Sequence, residues 1–304
     1  MTKIFIDGSA GTTGLRIRER LSARGDIELI TLPEAVRKDA DARREALNAA
    51  DIAFLCLPDQ AAAEAVALID NPDTAVIDTS TAHRTAEGWV YGMPELHGQR
   101  GRIAASKRIA NPGCHASGFI ALIAPLVRAG LVPKDARLAC FSLTGYSGGG
   151  KKMIAEYESA DRSPLLSAPR QYGLSQQHKH LKEMAVVCGL DNPPGFSPIV
   201  ADYYSGMEVS VQLFNTNIDE IKSIYKAVYP GPVIKYARDA DEAGFMSAAA
   251  FSGRDDMAIT VHGTDERALL TARFDNLGKG ASGAAIQNMN LLMGADETEG
   301  LVIG

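Results

Sequence analysis

Apolar and polar residues change rhythm near residue 110. Before it, short apolar runs alternate with amphipathic stretches. "KIFIDG" (3–8), "IELITL" (27–32), "DIAFLCLP" (51–58) and "TAVIDTS" (74–80) read as strands, apolar on both faces. "GTTGLRIRERLSARG" (11–25), "DARREALNAA" (41–50) and "QAAAEAVALI" (60–69) read as helices between them. Strands of this kind, spaced by helices, predict a doubly wound parallel sheet covered on both sides.

After residue 113 the pattern is irregular. "ASGFIALIAPLVRAGLV" (116–132) is a long apolar helix in which Pro125 predicts a bend or break. "RLACFSLTGYSG" (137–148) is a strand leaving into a glycine loop. "MEVSVQLF", "AITVHG" and "RALLTARFDN" are further strands, and "IDEIKSIYKAVYPG" and "SGAAIQNMNLLMG" are helices. The expected organisation is α/β: a Rossmann-like nucleotide-binding domain of residues 1–113 with 276–304, and an α+β catalytic and dimerisation domain of residues 114–275. Small residues around Gly280 and Gly283 would let the last helix return to the first domain.

Composition narrows the picture. Of 304 residues, 46% are hydrophobic and 22% charged, which suits a globular chain of about two domains. A net charge of −6 without a basic block argues against nucleic acid. The longest apolar run, Phe119 to Val127, is too short to cross a membrane. The start has no signal-peptide pattern, so the cytoplasm is the expected location. Four cysteines without CxxC spacing predict thiols in a reducing compartment. No metal site is expected; a zinc site on His178, His180 and a cysteine would occupy a thiol needed elsewhere.

"GSAGTTG" places Gly8, Gly11 and Gly14 between a strand and a helix, the setting of a dinucleotide loop. The glycines allow a tight turn, the helix N-terminus offers N–H groups, and Ser9, Thr12 and Thr13 add hydroxyls. An acidic residue after the second strand would hold NAD ribose hydroxyls. Here Leu32 and Pro33 stand at that strand end, and Arg37 and Lys38 suit the 2′-phosphate of NADP, while Glu34 leaves NAD open. Ser80, past the fourth strand, joins the candidate cofactor residues.

Cys114 follows Asn111-Pro112-Gly113 at a predicted helix start, where N–H groups favour a thiolate and can hold an oxyanion. Cys56, Cys140 and Cys188 lie in or beside apolar segments and read as buried structural thiols. "HKHLKE" (178–183) offers His178, His180 and Glu183 for proton transfer. A strand ending at His180 and a helix beginning near Leu181 would bring the three together. Arg84, Asn111, Ser147, Lys151 and Tyr172 are candidates to bind a substrate, with Lys152 and Arg170 nearby.

"YGMPELHG" (91–98), "IANPGCHASG" (109–118), "HKHLKE" and "DNLGKGASGAAIQNMNLLMG" (275–294), with the glycine loop, resemble N-acetyl-gamma-glutamyl-phosphate reductases over nearly the whole chain. The length resembles the shorter of two sequence groups. His115 stands where the longer group commonly has tyrosine, and Lys179 and Lys182 where arginine and proline are usual. The resemblance implies NADPH-dependent reduction of an acyl phosphate in arginine biosynthesis, through a thioester on Cys114. Inorganic phosphate and N-acetylglutamate semialdehyde would be released. It also implies a homodimer or homotetramer, and points to Asn276 and Gln287 beside the nicotinamide. The alternatives are an aspartate-semialdehyde dehydrogenase, a glyceraldehyde-phosphate-type dehydrogenase, which the motif around Cys114 disfavours, and an NADP-binding regulator without turnover.

Overall fold

A computed structural model describes residues 1–238 and 240–304. Its elements begin with β1 (Thr2–Asp7), α1 (Thr12–Leu21), β2 (Ile27–Ile30), α2 (Ala40–Ala49), β3 (Ile52–Leu55), α3 (Asp59–Ala67) and β4 (Ala75–Asp78). Then come β5 (Val90–Tyr91), α4 (Gln99–Ala104), β6 (Arg108–Ala110), α5 (Cys114–Arg128), β7 (Ala139–Gly145) and α6 (Gly150–Glu158). The remainder holds β8 (Arg170–Gln171), α7 (Leu181–Cys188), β9 (Gly195–Ala201), β10 (Met207–Phe214) and α8 (Ile218–Val228). The last elements are β11 (Ile234–Tyr236), β12 (Met257–Thr264), β13 (Arg267–Phe274) and α9 (Gly283–Met293).

Two compact units result: Met1–Pro112 with Ala281–Leu301, and Gly113–Gly280 with Val302–Gly304. Gly113 and residues 276–280 and 302–304, expected in the first domain, fall in the second unit.

The first unit holds a six-stranded sheet of order β2-β1-β3-β4-β6-β5, every neighbouring pair parallel. The apolar runs are continuous because helices cover both faces. Ile17 and Leu21 of α1 and Ile286 and Met289 of α9 pack with Ile4, Phe54 and Ile77. Leu47 of α2 and Ala62 and Ala65 of α3 pack with Phe5, Leu55 and Val76. The chain moves from β1 to β2 on one side and to β3 on the other. The crevice at this switch point is where sheets of this kind take ligands.

The second unit is a mixed seven-stranded sheet, β11-β12-β13-β10-β7-β9-β8. α5 packs against it and is buried almost throughout from His115 to Ile123. Contrary to the expectation from Pro125, α5 does not break there but runs on to Arg128. Proline has no N–H, so the carbonyl four residues back, at Ala121, loses its helical donor. The Tyr229 hydroxyl donates to that carbonyl at 2.7 Å, and Tyr225 donates to the Leu122 carbonyl at 2.5 Å. Both tyrosines are buried, so these bonds replace the missing one where water cannot.

Among the described residues no helix is long and apolar enough to cross a membrane. Tyr229→Phe should leave the Ala121 carbonyl unpaired and lower unfolding stability by about 1–3 kcal/mol. Urea denaturation followed by circular dichroism measures the change; a loss no larger than that of an exposed Tyr→Phe control would refute the role given to this hydroxyl.

Candidate active site

Cys114 is the first residue of α5 and is half-buried. The first amides of an α-helix have no acceptor within the helix, so those of residues 114–116 are suited to a charge at the cysteine. Gly113, which caps the helix, donates its own N–H to Glu183 Oε1 at 2.7 Å. Glu183 lies in the first turn of α7 and is 2% exposed. A Cβ on Gly280 would approach Cys114 Cβ to 2.9 Å, so a glycine there lets the chain pass close to Cys114.

The histidine motif does not form a strand. Residues 174–180 are turn and irregular backbone, and α7 begins at Leu181. His178 and His180 still converge, because His180 N–H donates to His178 Nδ1 at 3.2 Å and folds the segment back. Their rings lie 4.7 Å apart. Both rings flank His115, at 5.7 and 5.6 Å, and Phe196 of β9 packs against His115 and His178. His115 is buried between two hydroxyls: Ser142 Oγ lies 2.7 Å from Nδ1 and Tyr172 Oη 2.7 Å from Nε2. Burial, with the charges of His178 and Lys179, pushes the His115 imidazole down to about 3. It is therefore neutral at working pH. Burial pushes the Cys56 thiol up to about 12, and those of Cys140 and Cys188 well above their ordinary value.

In the first unit the glycine loop joins β1 to α1. Gly8 has φ +87° and a Cβ there would overlap the Cys56 carbonyl. A Cβ on Gly14 would come within 2.5 Å of the Gly8 carbonyl. The backbone is drawn in so closely at these glycines that no side chain fits, the form of a loop suited to approach a pyrophosphate. Ser9, Thr12 and Thr13 are half-buried around it. Arg37 and Lys38 are exposed, and Arg37 is paired with Glu34 at 2.7 Å.

Comparison with known proteins identifies this arrangement. The model of the semialdehyde dehydrogenase NAD-binding domain matches residues 33–104, and that of the semialdehyde dehydrogenase dimerisation domain matches residues 114–276. N-acetyl-gamma-glutamyl-phosphate reductase 2 of Nostoc sp. is 44% identical, over 98% of this chain and 99% of its own. The Pseudomonas putida protein named N-acetyl-gamma-glutamyl-phosphate reductase 2 is 45% identical over 98% of each chain. The Brucella anthropi N-acetyl-gamma-glutamyl-phosphate reductase is 46% identical, over 96% of this chain and 98% of its own. The chain belongs to the N-acetyl-gamma-glutamyl-phosphate reductase family. The reductase fold is also that of aspartate semialdehyde dehydrogenase II of Vibrio cholerae, solved with ASA. That structure has a TM-score of 0.72 at 16% identity, covering 96% of this chain and 98% of that one. The aspartate semialdehyde dehydrogenase of Candida albicans, solved with NADP, has a TM-score of 0.68 at 15% identity over the same shares.

Within this reductase the remaining candidate residues separate into groups. Tyr172 stands at the histidine cluster through its bond to His115. Ser147 and Asn276 form a buried bracket: the Asn276 amide donates to Ser147 Oγ at 3.0 Å and accepts from Gly206 N–H at 2.9 Å. Both ends of that amide are thus engaged within the second unit, its oxygen at the start of β10. Lys151 and Lys152 are exposed in the first turn of α6.

Arg84, Ser80 and Asn111 gather at the carboxyl edge of the parallel sheet. Arg84 Nε donates to the Asn111 carbonyl at 3.0 Å, and the Asn111 amide donates to the Ala281 carbonyl at 3.0 Å. Ser80 donates to Asp78 at 2.7 Å. Gln287, from the C-terminal motif, donates to Glu95 Oε1 at 2.9 Å. Sequence reasoning missed Asp78, whose carboxylate also takes His83 Nδ1 at 2.6 Å while His83 stacks on Trp89. It missed Ser142 as well, whose signal was a polar residue on the inward face of β7 between Cys140 and Thr144.

Two outcomes follow. Gly8→Ala should weaken nucleotide binding tenfold or more, by roughly the cost of a Cβ at a positive φ against backbone. Titration of NADPH fluorescence reads it, and unchanged affinity would remove the cradle from the cofactor site. The second concerns acid stability. His115 binds its proton near 6.5 when unfolded and near 3 when folded. Between these values only the unfolded chain is protonated, so stability falls as pH falls, by up to about 1.4 kcal/mol per pH unit. His115→Asn should flatten that limb of the stability profile between pH 6.5 and 4; an equally steep limb in the variant would assign it to other groups.

Proposed function

We propose that the chain reduces N-acetylglutamyl 5-phosphate to N-acetylglutamate 5-semialdehyde and inorganic phosphate, with NADPH, in arginine biosynthesis. The observation that carries the reading is Cys114 at the start of α5, its preceding amide held by Glu183 and its neighbour His115 packed against His178 and His180, in a chain this similar to reductases of that name. The Cys114 sulfur attacks the acyl carbon, the phosphate leaves with the bonding electrons of the C–O bond, and a thioester remains. NADPH, when bound, supplies the hydride that brings the thioester to the aldehyde level. The first amides of α5 hold the negative oxygen formed at the acyl carbon. The pair His178 and His180 takes the thiol proton and returns a proton to the adduct oxygen or the departing sulfur. Glu183 is a positioning residue, since its carboxylate is spent on the backbone that carries Cys114.

Gly8, Ser9, Gly11, Thr12, Thr13 and Gly14 would hold the pyrophosphate. Arg37 and Lys38 would meet the 2′-phosphate of NADP, and Ser80 would lie toward the nicotinamide half. Arg84, Asn111 and Lys151 are the proposed anion-binding set, Arg84 acting with Asn111 as one hydrogen-bonded unit. The dimerisation-domain match supports a homodimer, or a tetramer built from it, and the proposed location is the cytoplasm, where NADPH and a reduced thiol are kept.

Cys114→Ser should cut activity by about a thousandfold or more while leaving NADPH affinity within about twofold. In the reverse direction, N-acetylglutamate semialdehyde, phosphate and NADP should generate NADPH. Comparable turnover of aspartate semialdehyde would overturn the substrate, and full activity without the thiol would overturn the mechanism.

A further inference from the structure

Between residues 37 and 44 the chain carries four cations, Arg37, Lys38, Arg43 and Arg44. Three of them are on the surface: Arg37 is paired with Glu34, Arg44 is paired with Asp70, and Lys38 is exposed. Arg43 is held differently. It lies in the first turn of α2, directly after Ala42, whose N–H is taken by the Asp39 cap at 2.9 Å. Its side chain is only 15% exposed, and the Asp7 carboxylate that it reaches is buried. Nε and Nη2 both donate to Asp7 Oδ2, at 3.0 and 2.8 Å. Nη1 has no hydrogen-bond partner among the described residues and is not sealed from solvent.

Asp7 ends β1, and the next residue is Gly8 of the glycine loop. α1, which that loop opens, packs on one face of the parallel sheet with Ile4, while α2 packs on the other with Phe5. Arg43 therefore comes to the end of β1 from the side opposite α1, on the helix that follows β2. The pyrophosphate of a dinucleotide belongs at the glycine loop and the α1 N-terminus, and its adenosine ribose toward the end of β2. A cation fixed beside Gly8 on the α2 side suits a phosphate on that ribose.

We propose that Arg43, fixed by Asp7, is the residue that distinguishes the 2′-phosphate of NADP from the free ribose hydroxyl of NAD. Arg43 takes this role only if the chain uses NADP as proposed above; which acyl phosphate is reduced does not enter. A guanidinium bound along one edge keeps N–H donors for a second anion, with its rotamer already set. Arg37 and Lys38, being exposed, must be ordered when the cofactor binds, and their attraction is screened by salt. Asp7 is a positioning residue, acting on the cofactor through Arg43.

Adenosine 2′,5′-bisphosphate and 5′-AMP differ only in the 2′-phosphate and require no turnover, so their affinities, read by isothermal titration calorimetry, isolate this contact. The wild-type protein should prefer the bisphosphate by about tenfold or more. Arg43→Gln should remove most of that preference and leave 5′-AMP within about twofold of wild type. Arg43→Gln leaves the Asp7 carboxylate buried and unpaired. The double variant Asp7→Asn with Arg43→Gln removes both charges, is measured beside it, and should show the same loss. A folded double variant that keeps the wild-type preference overturns the proposal, because Arg37 and Lys38 are then sufficient. Equal losses for the two fragments overturn it as well, because the pair then serves only the fold. Wild-type protein that binds both fragments alike removes the NADP reading itself, and the role of Arg43 with it.

Discussion

The site depends on one hydrogen bond, from the Gly113 N–H to the buried carboxylate of Glu183. It is a charge-assisted bond from a backbone group, of the kind worth about 1.5–3 kcal/mol. It ties the start of α5 to the start of α7. Its position matters more than its strength. Gly113 caps α5, and its amide lies outside the helix proper. By taking that amide from a buried position, Glu183 fixes the residue immediately before Cys114.

A nucleophile on a helix terminus is only as well placed as the helix is rigid. α5 contains Pro125, which by itself would free the turn above it. The two tyrosines of α8 and the segment after it close that gap by donating to the carbonyls of Ala121 and Leu122. Ser142 on β7 and Phe196 on β9 then meet His115 from the sheet beneath. Each group that orients the cysteine is thus held by a different element of one unit. Catalytic geometry tolerates little displacement, so such over-determination has a functional use.

Much of the first unit was legible because its strands are buried on both faces and its helices on one. That difference survives in the sequence as runs against stripes. Boundaries were less legible: α1 stops at Leu21, where the Ser22 hydroxyl bonds back to the Arg18 carbonyl, four residues before the glycine that pattern alone selects. Cys114 was legible because a Pro-Gly turn before an apolar helix is a local signal. The histidine segment was misread as a strand, since its convergence comes from a side chain accepting a backbone N–H, which periodicity does not encode. The bracket of Asn276 on Ser147 and Gly206, and the continuity of α5 through Pro125, join residues more than 65 positions apart. No local pattern announces a partner at that distance.

The proposed preference for NADP is argued from what is missing as well as from what is present. Arg37 is already paired with Glu34, and the other cation near the β1 edge, Arg43, is bound to Asp7 at 2.8 Å. The Arg37–Glu34 pair is exposed, and pairs of that kind contribute about 0–1 kcal/mol and are screened by salt, whereas Arg43 is held by the buried carboxylate of Asp7. Exposed cations add little discrimination by themselves. A carboxylate at the end of β2 would act differently, because it would both bind the ribose hydroxyls of NAD and repel a 2′-phosphate. Thr31, Leu32 and Pro33 occupy that end. On the proposed reading, the 2′-phosphate would meet Lys38 and an Arg37 partly neutralised by Glu34, with no carboxylate among residues 31–33.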